Sequence, residues 1–214
     1  MALISPDSEA IRREIADRGI TYLCHFTTLR NAASMIRMGS LLSRRTLVDQ
    51  AIPADFQDGL RFEGGQYINL SIQTPNHYLW RNFIRKAPQK VWCLLRINPE
   101  VCLREGVKFT TGNASAFMVR CQGTALGVEG FRALFADRVI GTNCFRLRMK
   151  ETPSSHPTSE QAEVLCPEPV SMADVFDIVV ACDADKRALL SSVSVNPYFI
   201  KVDPTFFATL PHCA

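Results

Sequence analysis

The feature that most constrains this chain is a compact unit near its start, in which one short β-leaning run turns directly into a helix. Ile20 to Phe26 is β-branched or aromatic in part and reads as a strand ending at His25-Phe26-Thr27-Thr28. Leu29, Ala32, Ala33 and Ile36 then fall at helical spacing, a threonine stands where an N-cap is wanted, and Gly39 closes the helix ahead of Leu41-Leu42. Strand, corner and helix follow one another without a spare residue. His25 is left at the strand-to-helix corner, where helix N-terminal amides can receive an anion or an amide oxygen. A histidine at such a corner is equally compatible with a structural or solvent-facing role.

The second informative stretch is Thr158-Ser159-Glu160-Gln161-Ala162-Glu163-Val164-Leu165-Cys166. It sets Glu163 one step before an apolar run, after a Pro- and Ser-rich loop from Glu151 to Thr158. A strand fixes the position of its terminal acid while a loop covers what lies beside it, which suits a catalytic carboxylate. The same pattern also occurs on plain sheet surfaces.

Around these two stretches the chain alternates in type. Ser5 to Gly19 is a capped helix with Ile11 and Ile15 on one face; Tyr67 to Ser71 alternates like a half-buried strand; Pro75-Asn76 begins a helix through Trp80, Phe83 and Ile84. Val91 to Ile97, Val107 to Thr110, Val175 to Ala181 and Tyr198 to Val202 read as strands. Gly127 to Phe135 reads as a short helix, and Asp183 as the cap of another through Leu190. Arg44 to Gln66 and Asp137 to Thr158 read as long irregular segments, the first able to cover a site. Without a repeat, linker or low-complexity tract, the economical architecture is α+β: one domain over residues 1–214, with a central mixed or antiparallel sheet flanked by helices.

Composition narrows the function classes. A formal charge of +3 is too small to announce a nucleic-acid binder in bulk, yet basic residues cluster at Arg44 and Arg45 and at Arg146, Arg148 and Lys150. The eight cysteines form no Cys-x-x-Cys pair and have no histidine at ligand spacing, which argues against zinc. With no secretory signal and no apolar run near the roughly 18 residues of a membrane span, a cytoplasmic protein with reduced thiols and no membrane is expected.

Four blocks, in order, resemble the DarT-type DNA ADP-ribosyltransferase toxins. They are His25-Phe26-Thr27-Thr28-Leu29-Arg30-Asn31 running on to Leu41-Leu42; Leu60-Arg61-Phe62-Glu63-Gly64 leading to Tyr67-Ile68-Asn69-Leu70-Ser71-Ile72 and Pro75-Asn76; Lys108 to Ala114; and Gln161-Ala162-Glu163-Val164-Leu165. The resemblance implies an enzyme that consumes NAD to attach ADP-ribose to a base in single-stranded DNA. It implies Glu163, Arg61 and His25 as catalytic residues. NAD would be held by His25, Thr27, Asn31, Arg61, Tyr67, Ser71 and Asn113. DNA is assigned by sequence neighbourhood alone to Arg44, Arg45, Arg146, Arg148, Lys150 and His156, with Phe145 or His156 available for stacking. A partner that strips ADP-ribose from DNA, of macrodomain or NADAR type, is implied as antitoxin, and no metal. The thymine-modifying branch carries an Arg-Ser-Pro type turn where this chain has Asn69-Leu70-Ser71-Ile72-Gln73-Thr74-Pro75-Asn76, which tilts the expectation slightly toward guanine. Two other classes share these residues: an ADP-ribosyltransferase acting on RNA or protein, or an NAD glycohydrolase; and a nucleic-acid-binding module without catalysis.

Overall fold

The computed structural model describes residues 3–56, 65–167 and 169–207. In chain order these form α1 (Ser8–Arg18), β1 (Leu23–Thr28), α2 (Leu29–Met38), β2 (Ser40–Leu41), α3 (Arg44–Asp49), β3 (Tyr67–Ile72), α4 (His77–Lys86), β4 (Trp92–Ile97), β5 (Lys108–Thr110) and α5 (Phe117–Gln122). There follow β6 (Ala125–Leu126), α6 (Gly127–Ala133), β7 (Arg138–Ile140), β8 (Phe145–Leu147), β9 (Glu163–Pro167), β10 (Val170–Ser171), β11 (Val175–Val180), α7 (Asp183–Ser192) and β12 (Ile200–Val202).

Eight strands make one sheet in the order β12-β11-β4-β1-β3-β9-β5-β6. Its neighbours are antiparallel except β11 and β12, so the sheet is mixed. Alternation along the strands divides the core between two faces. Leu23, Cys93, Leu95, Ile97, Ile178 and Val180 face one way and meet Ile11 and Ile15 of α1, Ala32 and Met35 of α2, Phe131 of α6 and Leu189 of α7. Cys24, Trp92, Leu94 and Val179 face the other way, against Trp80, Phe83 and Ile84 of α4. The second face is closed by aromatics: Phe26 stacks on Trp80 at 5.5 Å between centroids, and Phe207 meets Trp80 edge-on at 5.1 Å.

The helix boundaries have local causes. Thr28 Oγ1 accepts from the Asn31 N–H at 3.3 Å and caps α2, while Gly39 ends it at φ 74, in the left-handed region that glycine enters without strain. Asp7 does not cap its own helix; its Oδ2 accepts from the Val128 N–H at 3.2 Å and serves the start of α6. Glu14 of α1 joins the same junction through Arg132 of α6 and Arg18, with Arg132 the larger cause holding its carboxyl below the usual carboxylate range. Asp183 likewise does not cap α7, since it is the helix's first residue and Cys182 occupies the cap position.

Two segments read as irregular contain regular structure. Ser43 caps the short α3, its Oγ accepting from the Thr46 N–H at 3.2 Å, and residues 138–147 form the β7–β8 hairpin. Phe131 is fully buried and meets Phe109 edge-on at 5.4 Å, so it joins α6 to β5 behind Glu163. Phe131→Ala is expected to lower the free energy of unfolding by about 3–5 kcal/mol, read from urea denaturation, because the cavity is walled by sheet and cannot collapse.

Candidate active site

The strands at the centre of the sheet do not stay paired. β1 pairs with β3 only at Leu23↔Ile72 and Cys24↔Ser71, although β1 runs beside β4 along its whole length and Tyr67 to Leu70 run beside β9. Past Cys24 the sheet therefore opens into a wedge. His25, Thr27, Tyr67, Asn69, Ser71 and Glu163 line the cleft so formed, with Asn31 and Arg44 at its wall.

Glu163 is the first residue of β9, in register with Thr110 of β5. Its exposure is only 4%, so its charge depends on partners, because an unpaired carboxylate in such a place would cost several kcal/mol. Its Oε2 accepts from the Ala114 N–H at 2.9 Å and from Asn69 Nδ2 at 3.2 Å. Two donors on one oxygen fix the plane of the carboxylate and stabilise its negative charge.

The Ala114 N–H is aimed by the turn before α5. Asn113 Oδ1 accepts from the Ser115 N–H at 2.9 Å, and the Asn113 N–H donates to Thr142 Oγ1 at 3.2 Å, tying the turn to the β7–β8 hairpin. Thr142 also bonds to Gln161, two residues before Glu163. Gly112 is required here: a Cβ would lie 2.9 Å from Val119 Cγ2 and 3.0 Å from the backbone of Gly141 and Thr142. Asn113 thus shapes the turn behind the acid and is not among the residues facing the cleft, where the resemblance placed it.

On the opposite wall, His25 Nδ1 lies 3.1 Å from the carbonyl oxygen of Asn69. A carbonyl only accepts, so Nδ1 carries the proton, and in the neutral ring Nε2 is the acceptor. Thr27 Oγ1 accepts from Asn31 Nδ2 at 3.1 Å. The same Asn31 amide holds Asp55 at both ends, donating to its carbonyl at 3.0 Å and accepting its N–H at 2.8 Å. Asp55 is fastened again by the Thr28 hydroxyl at 3.0 Å and by Lys90 at 3.2 Å. Asn31 therefore acts as the clamp of a strap, residues 50–56, whose last three residues line the cleft; within the described residues its amide is occupied by that work. Asn69, Asp55 and Ala114 were not singled out from the sequence. Asn69 was within reach of it, since it stands between Tyr67 and Ser71 on the strand face that also carries those two.

The basic residues separate into three groups. Arg44 lies at the cleft wall with its guanidinium over the Phe56 ring at 4.6 Å, away from any outer DNA face, whereas Arg45 is exposed and paired to Asp49 at 2.9 Å. Arg146 and Lys150 are exposed on and just after β8, near an exposed Phe145. Arg148 instead turns inward and donates to the carbonyls of His156 at 2.9 Å and Pro153 at 2.8 Å. Burial, aided by Arg148, lowers the pKa of His156 and so disfavours the charged ring that a phosphate contact would use. Arg61 lies outside the described residues.

The model of the family described as "ssDNA thymidine ADP-ribosyltransferase, DarT" matches residues 24–208, from the strand that carries His25 to beyond the last strand of the sheet. This chain belongs to the DarT family. No curated protein sequence matches it. Among solved structures it resembles Thermosipho africanus DarTG in complex with ADP-ribose at 17% identity and a TM-score of 0.60, covering 87% of this chain and 51% of that one. The chain thus spans about half of that relative's length. It resembles Thermus sp. 2.9 DarT in complex with carba-NAD+ at 15% identity and a TM-score of 0.57, covering 87% and 97%, and the same protein in complex with ADP-ribosylated single-stranded DNA at 14% and 0.56, covering 88% and 96%. The mixed sheet with its flanking helices is therefore the DarT fold. Among the described residues no cluster of three or more His, Cys, Asp or Glu could hold a metal, and no helix is long and apolar enough to cross a membrane.

The inward bonding of Arg148 has a testable consequence. Arg148→Ala is expected to speed proteolytic cleavage within residues 149–158 severalfold, because it removes the donors to Pro153 and His156. Loss of those bonds is expected to lower unfolding free energy by about 1–2 kcal/mol in urea.

Proposed function

We propose that the chain is a single DarT-type domain that transfers ADP-ribose from NAD to a base of single-stranded DNA, releasing nicotinamide. The observation that carries the reading is Glu163, a buried carboxylate held by two donors at the end of a strand, across an open cleft from His25, in a chain of this family. The cleft fits a dinucleotide in kind: acceptors and hydroxyls on one wall, Tyr67 as a flat ring, and Arg44 as a fixed cation for phosphate.

NAD supplies a glycosidic bond whose rupture places positive charge on the ribose. Glu163 meets that charge with a carboxylate already oriented, so little reorganisation is needed as the charge develops. By family resemblance the same carboxylate takes a proton from the acceptor base, which must lose one to become a strong nucleophile. His25 presents a ring whose tautomer is set by Asn69, and Thr27, Ser71 and Tyr67 orient the substrate beside it. Arg61 completes this set on the strength of the family resemblance.

Single-stranded DNA suits a recessed carboxylate, since a base in a duplex is stacked out of reach. Arg45, Arg146 and Lys150 are proposed to hold backbone phosphates, with Phe145 or His156 offering a stacking face. The family description names thymidine, and thymine is the base we propose. Guanine is the second reading, favoured by the departure at Asn69 to Asn76 from the thymine-modifying pattern. An ADP-ribosylglycohydrolase antitoxin of macrodomain or NADAR type is the proposed partner. A cytoplasmic location is supported by the thiols, since burial raises Cys24, Cys93 and Cys102 and pushes Cys166 up to about 12, which suits reduced, inert side chains.

The test is incubation with NAD and four single-stranded oligonucleotides, each rich in one base, together with a matching RNA, read as intact masses. A gain of one ADP-ribose on the thymine-rich DNA is expected, and a gain on the guanine-rich DNA alone establishes the second reading. Glu163→Ala is expected to lower the rate by about 10²–10⁴-fold. Arg146→Ala and Lys150→Ala are each expected to reduce the salt slope of DNA binding by about 0.7. Nicotinamide release without a gain in any nucleic acid replaces the reading with a glycohydrolase; no product at all replaces it with a binding module.

A further inference from the structure

We propose that Asn69 is a positioning residue that fastens both walls of the cleft, setting His25 with its main chain and Glu163 with its side chain. The inference rests on the transfer reaction proposed above. Asn69 lies at the mouth of the wedge, two residues beyond the last β1–β3 pair at Cys24↔Ser71. Its carbonyl faces the β1 side and, in place of a ladder partner, accepts His25 Nδ1–H at 3.1 Å. On the other side its own strand is paired to β9 through Asn69↔Leu165, which brings the side chain within reach of the start of β9. There Nδ2 donates to Glu163 Oε2 at 3.2 Å.

One residue therefore sets both the tautomer of the histidine and the orientation of the carboxylate. The two arms differ in what a substitution removes. The carbonyl survives any replacement, so His25 keeps its partner, while the amide donor to Glu163 is lost. The Ala114 N–H remains on the same oxygen and keeps the carboxylate near its place. A variant at Asn69 thus weakens the stabilisation of Glu163's negative charge without emptying the cleft.

The sign of the pH effect follows from this. A donor bonded to the ionised form favours that form, so its removal makes Glu163 take up a proton at higher pH. The acid limb of the kcat profile moves upward. Among the described residues the other titratable and charged groups lining the cleft are Cys24 and His25 on β1, Arg44 on α3, Asp55 on the strap and Tyr67 on β3, and the substitution removes none of them. Replacement by aspartate is isosteric but sets a second carboxylate against Glu163, so the limb moves further for Asn69→Asp than for Asn69→Ala.

The experiment measures kcat and the Michaelis constant for NAD against pH, with the oligonucleotide that the wild type modifies. Asn69→Ala is expected to lose roughly 10- to 100-fold in kcat, the value of one hydrogen bond to a charged group, with the Michaelis constant for NAD changed less than about threefold. Its acid limb shifts to higher pH, and that of Asn69→Asp further. If the alanine variant does not fold, the aspartate variant carries the same reading. An unchanged kcat with an unchanged acid limb overturns the proposal, as does a raised Michaelis constant at unchanged kcat, which makes Asn69 a substrate contact only. In both cases the wild type remains active and the transfer reading stands; a wild type that modifies no nucleic acid removes that reading and this proposal with it.

Discussion

The site depends on a broken ladder. A sheet of eight strands would ordinarily pair its central members along their length, since each unpaired backbone group in the interior costs a hydrogen bond. Here β1 and β3 part after two residue pairs, and one group freed by the parting, the Asn69 carbonyl, is taken up by a side chain. His25 supplies a ring N–H to the Asn69 carbonyl in place of a strand N–H. The exchange leaves a cleft with rigid walls, because β4 holds β1 from behind and β9 holds β3.

The second constraint is the buried charge of Glu163. Its partners come from β3 and from the turn before α5, and that turn is itself anchored by the β7–β8 hairpin through Thr142 and through Thr111 Oγ1, which donates to the Ile140 carbonyl at 2.6 Å. Phe131 backs this region by packing on Phe109. A chain of short contacts thus runs from the α6 core to one carboxylate oxygen, and its members are far apart in sequence. Identities of 14–17% with solved DarT structures are compatible with a shared fold for this reason. Few of these contacts demand a particular side chain; a backbone N–H, a hydroxyl and a small residue at 112 suffice.

Much of this was legible in the sequence and some was not. The strand, corner and helix around His25 were legible because periodicity, cap and terminal glycine all agree, and α2 spans the expected Leu29–Met38. Glu163 was legible because it stands where an apolar run begins. The α3 helix was missed because six residues are too few to show a period, and the β7–β8 hairpin because its outer face carries Phe145 and Leu147, reversing the usual polar-out pattern. The parting of β1 and β3 leaves no local mark at all: both strands keep their alternation, and only the register between them changes. The clamp of Asn31 on Asp55 was hidden likewise, since a residue on a matching motif suggests a ligand contact while its amide bonds to a strap 24 positions away.

The strap and the wedge together bear on how the cleft selects its contents. On the β1 side the groups facing inward are fixed by α2 and by Asp55, whose carboxylate is paired with Lys90 and accepts from the Thr28 hydroxyl. Asp55 therefore brings little free negative charge to the cleft, while Arg44 stands beside the strap with its guanidinium 4.6 Å over the Phe56 ring. The β3 side carries Glu163, whose carboxylate is oriented by two donors on one oxygen. Charge in the cleft thus has two separate seats, the Arg44 guanidinium beside the strap and the Glu163 carboxylate at the start of β9. For the dinucleotide proposed above, this separation in a recess of low effective dielectric would set the orientation, because the reverse pose brings phosphate against carboxylate.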